Sequence, residues 1–290
     1  MNYLWIDTFG TLQLRNQKVT VSHFPTQHAK ELLAFLLLHP HIKHNRLKVI
    51  SLLWPECAED KGRGRLNTEL WRVRTLFKKV GLAPETILQT DRESITFSPN
   101  SIIKIDYEQF KMLVNQGIKE LDPEKKELIF SKIIGLYKGD FCEDIFTDWC
   151  IIERERLSRM YLSVLGSLMR CALDRKSYQE TIAYGETILR LDPLREEVHR
   201  ALILCFANLG LFSKAAKQFH LCSQLLWEEL RILPLPETVA LFDKLLIERY
   251  HTHTNFPPQK ENQEELRQTY LHYQEVSARL SQLMESAGAL

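Results

Sequence analysis

The chain has 290 residues, 44% hydrophobic and 26% charged, and 38 Lys and Arg against 37 Asp and Glu leave a formal net charge of +1. That length accommodates two domains with separate cores, and the composition is ordinary for a soluble globular protein. It excludes a membrane-spanning segment, because the longest apolar run, Leu32 to Leu38, has only the length of a buried helix.

The first residues, Met1-Asn2-Tyr3-Leu4-Trp5, carry no basic segment and no small-residue cleavage site. No signal peptide is expected there, and the expected location is the cytoplasm. Strand-like segments follow. Tyr3 to Ile6 is rich in β-formers, Gly10 breaks it, and Leu12-Gln13-Leu14 and Val19-Thr20-Val21 flank the turn Asn16-Gln17-Lys18. They predict a small antiparallel sheet.

Three helices come next. Thr26 is placed to cap the first, which carries the Leu32–Leu38 block and stops before Pro40. Asn45 is placed to cap a short second helix with Leu47, Ile50, Leu53 and Trp54, ended by Pro55. Asp60 is placed to cap a third, from about Lys61 to Val80, with Gly81 as its stop. Gly62-Arg63-Gly64 reads as the approach to this helix, and His39, His41 and His44 as an exposed turn between helices. A hairpin follows, with strands Thr86 to Thr90 and Ser94 to Phe97 around Asp91-Arg92-Glu93. Sheet, three helices, hairpin is the order of a winged helix with an N-terminal sheet.

Pro99-Asn100-Ser101 marks a break, and after Asp106 the pattern is helical. A spacing of 34 residues relates Leu168 to Leu202, Cys171 to Cys205, Tyr178 to Phe212 and Thr181 to Ala215, which is the tetratricopeptide period. Thr181 and Gly185 stand where such repeats usually have Ala and an aromatic. Pro234-Leu235-Pro236 interrupts the helices, and Glu237 to Tyr250 gives one more. A polar linker with Pro257-Pro258 leads to a last helix, about Lys260 to Glu285, whose Leu266, Tyr273 and Leu280 lie near heptad spacing. A coiled coil and docking on the repeats both remain open for it.

The third helix has two faces. Leu66, Leu70, Val73, Phe77 and Val80 make one apolar stripe, with Leu76 at its edge and Glu69 beside it. The opposite face presents Thr68, Arg72, Thr75 and Lys79, with Asn67, Trp71, Arg74 and Lys78 on the flanks. Between Lys61 and Lys79 seven basic residues, Arg65 among them, meet the single acid Glu69. A local basic stripe in a neutral chain is the electrostatic footprint of a nucleic-acid contact. Arg reads guanine, Asn reads adenine and Thr meets the thymine methyl, while Lys holds phosphate. Trp71 is expected to pack at the edge of the core rather than stack on a sugar. Arg92 at the hairpin tip is the natural phosphate or minor-groove contact.

At this point the sequence resembles the Streptomyces antibiotic regulatory protein type. The resemblance is carried by Thr26 to His39, Ile50-Ser51-Leu52-Leu53-Trp54-Pro55 and Arg65 to Arg74 in the first half. In the second half it is carried by Leu136 to Phe141, Asp148-Trp149, Glu153 to Leu157, Leu191 to Glu197 and Ala201 to Glu229. It covers about residues 3–250. It implies a mainly α fold: an OmpR-like winged helix (α+β) over residues 1–105, then an all-α tetratricopeptide-like bacterial transcriptional activation domain over 106–250, with 251–290 as linker and last helix. It further implies an activator that binds direct repeats in double-stranded promoter DNA and contacts RNA polymerase. The family's reading positions fall on Thr68, Arg72, Thr75 and Lys79, and its wing on Arg92. Glu93-Ser94 stand where many members have Gly-Tyr. A homodimer on DNA and a peptide or protein effector on the repeats are compatible with it. The other reading is a tetratricopeptide scaffold or signalling-peptide receptor whose N-terminal domain does not read DNA.

Catalysis, cofactor and metal are not expected. No G-x-x-x-x-G-K-[ST] or G-x-S-x-G occurs, and the six cysteines form no C-x-x-C pair and read as buried, reduced thiols. The acid clusters around Glu153 and Glu196 alternate with Arg at helical spacing and read as ion-paired surface.

Overall fold

The computed structural model describes residues 3–252, so the predicted last helix lies outside the described residues. The chain divides into two compact units, Met1–Val164 and Leu165 onward, with the boundary inside one helix.

The first unit runs β1 (Leu4–Asp7), β2 (Gln13–Arg15), β3 (Thr20–Val21), α1 (Gln27–Leu38), β4 (Lys43–Asn45), α2 (Arg46–Leu53), α3 (Glu59–Lys79), β5 (Leu88–Thr90), β6 (Ser94–Phe97), β7 (Ile103–Ile105), α4 (Asp106–Lys119), α5 (Pro123–Ile134) and the start of α6 (Asp148–Asp174). One sheet has the order β3-β2-β1-β7, the other β4-β6-β5. The succession α1-β4-α2-α3-β5-β6 is a winged helix behind an N-terminal sheet.

Local chemistry explains the boundaries. Thr26 accepts the Ala29 N–H and caps α1, and the Asn45 amide oxygen accepts from Leu47 and Lys48 to cap α2. Gly81, at φ 81°, closes α3: it donates to the Lys78 carbonyl, and Leu82 donates to that of Phe77. Two strands escaped the sequence reading. β4 pairs antiparallel with β6, and β7 pairs parallel with β1, placing Ile103 and Ile105 opposite Leu4 and Ile6. Both have only three residues, too few for a period of two to show.

The winged helix and the helices after it share one core. Asp106, the first residue of α4, is buried and accepts the Thr8 N–H at 2.8 Å, the Thr8 hydroxyl at 2.6 Å and the Phe9 N–H at 3.0 Å. Burial pushes its carboxyl up, against the hydrogen bonds that pull it down. Beyond it the chain from Thr8 to Gly10 pairs with the loop before α6. Cys142 donates to the Thr8 carbonyl at 2.8 Å, and Gly10 to that of Asp140 at 2.8 Å. Arg154 holds this loop from behind, donating to the carbonyls of Phe141, Cys142 and Ile145 at 2.7–3.0 Å. Phe9 packs on Phe110 and Tyr137, with ring centroids at 5.1 and 4.8 Å, and Tyr137 stacks on Tyr161 at 4.0 Å. Lys30 of α1 pairs with Asp144, and Phe35 meets Trp149 edge-on.

The second unit contains the end of α6, α7 (Tyr178–Leu191), α8 (Glu196–Asn208), α9 (Phe212–Leu230) and α10 (Pro236–Thr252). The period of 34 residues is visible in its backbone. Tyr178 and Phe212 open α7 and α9, and Lys176 and Gly210 hold the same left-handed conformation before them, at φ 59° and 74°. Ser177 donates to Ala172 just as Leu211 donates to Phe206. The unusual Gly185 has a packing reason: a Cβ there would lie 2.7 Å from Leu202 Cδ2. Its counterpart Phe219 instead stacks on Phe242 at 4.3 Å.

Replacing Asp106 by Asn would put an NH2 group against backbone N–H donors and leave at least one of them unpaired in the core. Asp106→Asn should cost about 2–3 kcal/mol. Urea unfolding of the full chain measures this, and an unchanged midpoint would remove the latch from the account.

Candidate nucleic-acid interface

The candidate interface is built on α3. Leu66, Leu70, Val73, Leu76, Phe77 and Val80 are buried, and this stripe packs against α1 and α2. The helix begins at Glu59, two residues before the expected start at Lys61; Asp60 lies inside its first turn instead of capping it, no side chain caps the helix, and both glycines of Gly62-Arg63-Gly64 lie within it. Glu59 and Asp60 sit in its first turn, where negative charge offsets the helix dipole. Gly62 is where α3 crosses α2: a Cβ would fall 2.4 Å from Ile50 Cγ2.

The outward face differs from the expected one at its centre. Trp71 does not pack at the core edge but is 65% exposed. At about 100° per residue it lies roughly 160° from the middle of the buried stripe. Thr68 and Thr75 flank it, and their hydroxyls donate back into the helix, to the carbonyls of Gly64 at 3.1 Å and Trp71 at 2.9 Å. Arg65, Lys78 and Lys79 are exposed around this ridge, with Lys78 at 3.8 Å from Glu85.

Three candidate readers are engaged within the protein. Arg72 donates to Glu69 Oε1 at 2.5 Å, while the cap residue Thr26 donates to Glu69 Oε2 at 2.6 Å. The buried Glu69 therefore joins α3 to the start of α1. Arg74 donates to the Thr90 hydroxyl at 2.7 Å, tying α3 to the hairpin. The Asn67 amide oxygen accepts from Arg46, which sequence reasoning passed over. Arg46 is buried, and burial holds its guanidinium below its ordinary value, with Arg63 and Arg74 adding to the effect. An Arg opening a short helix looks solvated in sequence, and nothing local marked it otherwise.

The wing is set by Asp91. Its carboxylate accepts the N–H groups of Glu93 and Ser94 at 2.8 and 2.6 Å and the Ser94 hydroxyl at 2.7 Å. These bonds hold it far below the usual carboxylate range, and Lys43 lies 3.2 Å away. The turn leaves Arg92 exposed at the tip. The histidine cluster is not an open turn throughout: His44 is buried in β4 against Phe35 and His39, and burial lowers its pKa. Among the described residues no group of three or more His, Cys, Asp or Glu is placed to hold a metal ion. No described helix is long and apolar enough to cross a membrane. Of the thiols, Cys142, Cys150, Cys205 and Cys222 are buried, and Cys57 and Cys171 half-buried.

Residues 105–246 match the family model of the bacterial transcriptional activator domain. The chain is 21% identical over 235 residues to the regulatory protein AfsR of Streptomyces griseus, covering 80% of this chain and 23% of that protein. Together these matches support a regulator of the Streptomyces antibiotic regulatory protein type. The chain thus spans under a quarter of the length of AfsR. Its fold is similar to that of Mycobacterium tuberculosis EmbR, solved in complex with a low-affinity phosphopeptide, at a TM-score of 0.69 and 18% identity over 86% of this chain and 66% of that one.

The seat of α3 depends on Gly62. Ala in place of Gly normally stabilises a helix interior by about 1 kcal/mol. Here Gly62→Ala should instead destabilise by about 1–3 kcal/mol, because α2 and α3 would have to part. A double-mutant cycle with Ile50→Ala, read by chemical denaturation, should recover part of that loss.

Proposed function

We propose that the chain is a sequence-specific DNA-binding transcription activator that lays α3 in the major groove of a promoter and the Arg92 wing on the adjacent backbone. Functionally it divides into a DNA-binding part, residues 1–105, and an activator part, residues 106–250. The observation that carries the reading is the two-faced α3. Its apolar stripe is seated on α1 and α2, and its outward face offers Thr68, Trp71 and Thr75 within a frame of Arg65, Lys78 and Lys79. A helix of this kind beside a wing suits the major groove, which admits one α-helix. Exposed cations around the ridge would fix register on phosphates. Direct repeats, side-by-side protomers and contact of the helical activator part with RNA polymerase complete the proposal.

Binding to a duplex selected from random or genomic fragments tests it. Affinity should fall steeply with salt, with roughly four to six phosphates neutralised per protomer. Lys79→Ala should weaken all sequences alike and lower the salt slope by about one. Arg92→Ala should do the same if the wing touches phosphate. A full chain that shifts no duplex at low salt ends the proposal.

A further inference from the structure

We infer that the reading ridge of α3 is apolar and selects thymine through its C5 methyl group, with Trp71 as the specificity-determining residue. The inference rests on the DNA-binding reading above and adds the chemistry of the site that is read.

The polar readers and the apolar ones are differently placed. Bidentate recognition of guanine needs a guanidinium with free N–H pairs, and that of adenine needs both ends of an amide. Arg72 is paired with the buried Glu69, Arg74 is tied to Thr90, and the Asn67 oxygen is taken by Arg46. Each of these bonds also supports the fold: Arg72 holds the buried Glu69, which Thr26 at the start of α1 also engages, Arg74 ties α3 to the hairpin, and Asn67 meets Arg46 of α2. Releasing any of them to a base would loosen the helix that does the reading.

The centre of the outward face is differently built. Trp71 is 65% exposed there and presents its indole at the middle of the face turned away from the buried stripe. Thr68 and Thr75, one turn before it and one turn after, have given their hydroxyl protons to Gly64 and Trp71 carbonyls. What they offer outward is chiefly a methyl group each. The exposed Thr68 and Trp71 and the half-buried Thr75 therefore form an apolar ridge one helix face wide, bordered by Arg65, Lys78 and Lys79. In the major groove the apolar feature that separates one base pair from another is the thymine methyl. A ridge of two methyl groups and an indole matches thymine methyls in chemistry and leaves the bordering cations to the phosphates.

The test replaces thymine by deoxyuridine, which removes the methyl and keeps every hydrogen-bonding group. A duplex selected by the full chain is made with thymine and with deoxyuridine at each position in turn, and affinity is read by fluorescence anisotropy. Where α3 sits, uridine should weaken binding by about fourfold for each methyl lost, the worth of one buried carbon. Trp71→Ala should weaken binding to the thymine duplex and show a much smaller thymine-to-uridine difference. Trp71→Phe, which keeps an apolar ring, should restore part of that difference. Tight binding with equal affinity for both duplexes would overturn the inference while leaving the DNA-binding reading intact. So would a Trp71→Ala chain that still discriminates fully. Absence of binding to any duplex would remove both readings together.

Discussion

One buried carboxylate decides how this protein is put together. Asp106 follows β7 and begins α4, and its two oxygens gather the N–H groups just past the end of β1 together with the Thr8 hydroxyl. The end of a strand that has run out of partners would otherwise leave these donors buried and unsatisfied. Asp106 supplies the missing acceptors and so fixes where the N-terminal sheet stops and the helices start. From there the backbone pairing of Thr8 to Gly10 with Asp140 to Glu143, and the rings of Phe9, Phe110 and Tyr137, follow as one continuous core. The activator-domain match begins at residue 105, yet the compact unit runs on to Val164. The part proposed to meet DNA and the first helices of the activator domain are thus packed as one body rather than joined by a free linker.

The same economy of acceptors shapes α3. Glu69 is the one acid in the basic stretch from Lys61 to Lys79, and it is also buried. A buried carboxylate needs partners, and it finds them in Arg72 and in the residue that caps α1. On the other flank Arg46 and Arg74 bond to Asn67 and Thr90. The basic residues of α3 are therefore of two kinds: Arg72 and Arg74 are half-buried and engaged within the protein, whereas Arg65, Lys78 and Lys79 are exposed. Counting charges along the stretch overstates what is free to meet a ligand.

Features that act within a few residues were legible in the sequence. The caps at Thr26 and Asn45, the glycine stop at Gly81, the wing hairpin and the buried stripe of α3 each rest on local rules, and each is present. The spacing of 34 residues was legible because it repeats a backbone event, the left-handed closure at Lys176 and Gly210. What lay hidden depends on distant partners. β4 and β7 exist only because β6 and β1 wait for them. Arg46 is buried because Asn67 and the wing close over it. Trp71 was misjudged for another reason: its bulk suggested a core residue, while its angular position, the better guide, set it opposite the stripe.

The two units are stabilised in unlike ways, and the difference bears on how the chain tolerates change. In the first unit, sheet ends, loop carbonyls and aromatic rings meet at long sequence separation, with Thr8 bonded to a residue 98 positions away. Such contacts form together or not at all, because each ordered segment is held by the others. In the second unit α8 packs on α7, α9 and α10, and each helix pair meets chiefly its neighbour. Stability there is closer to a sum over adjacent pairs. That explains how Gly185 and Phe219 occupy equivalent places without a common shape, since each needs to satisfy only its own neighbours, Leu202 in one pair and Phe242 in the other. Helix surfaces in the second unit can therefore vary pair by pair. The winged-helix unit, tied through Asp106, is confined to substitutions that its whole core can accept.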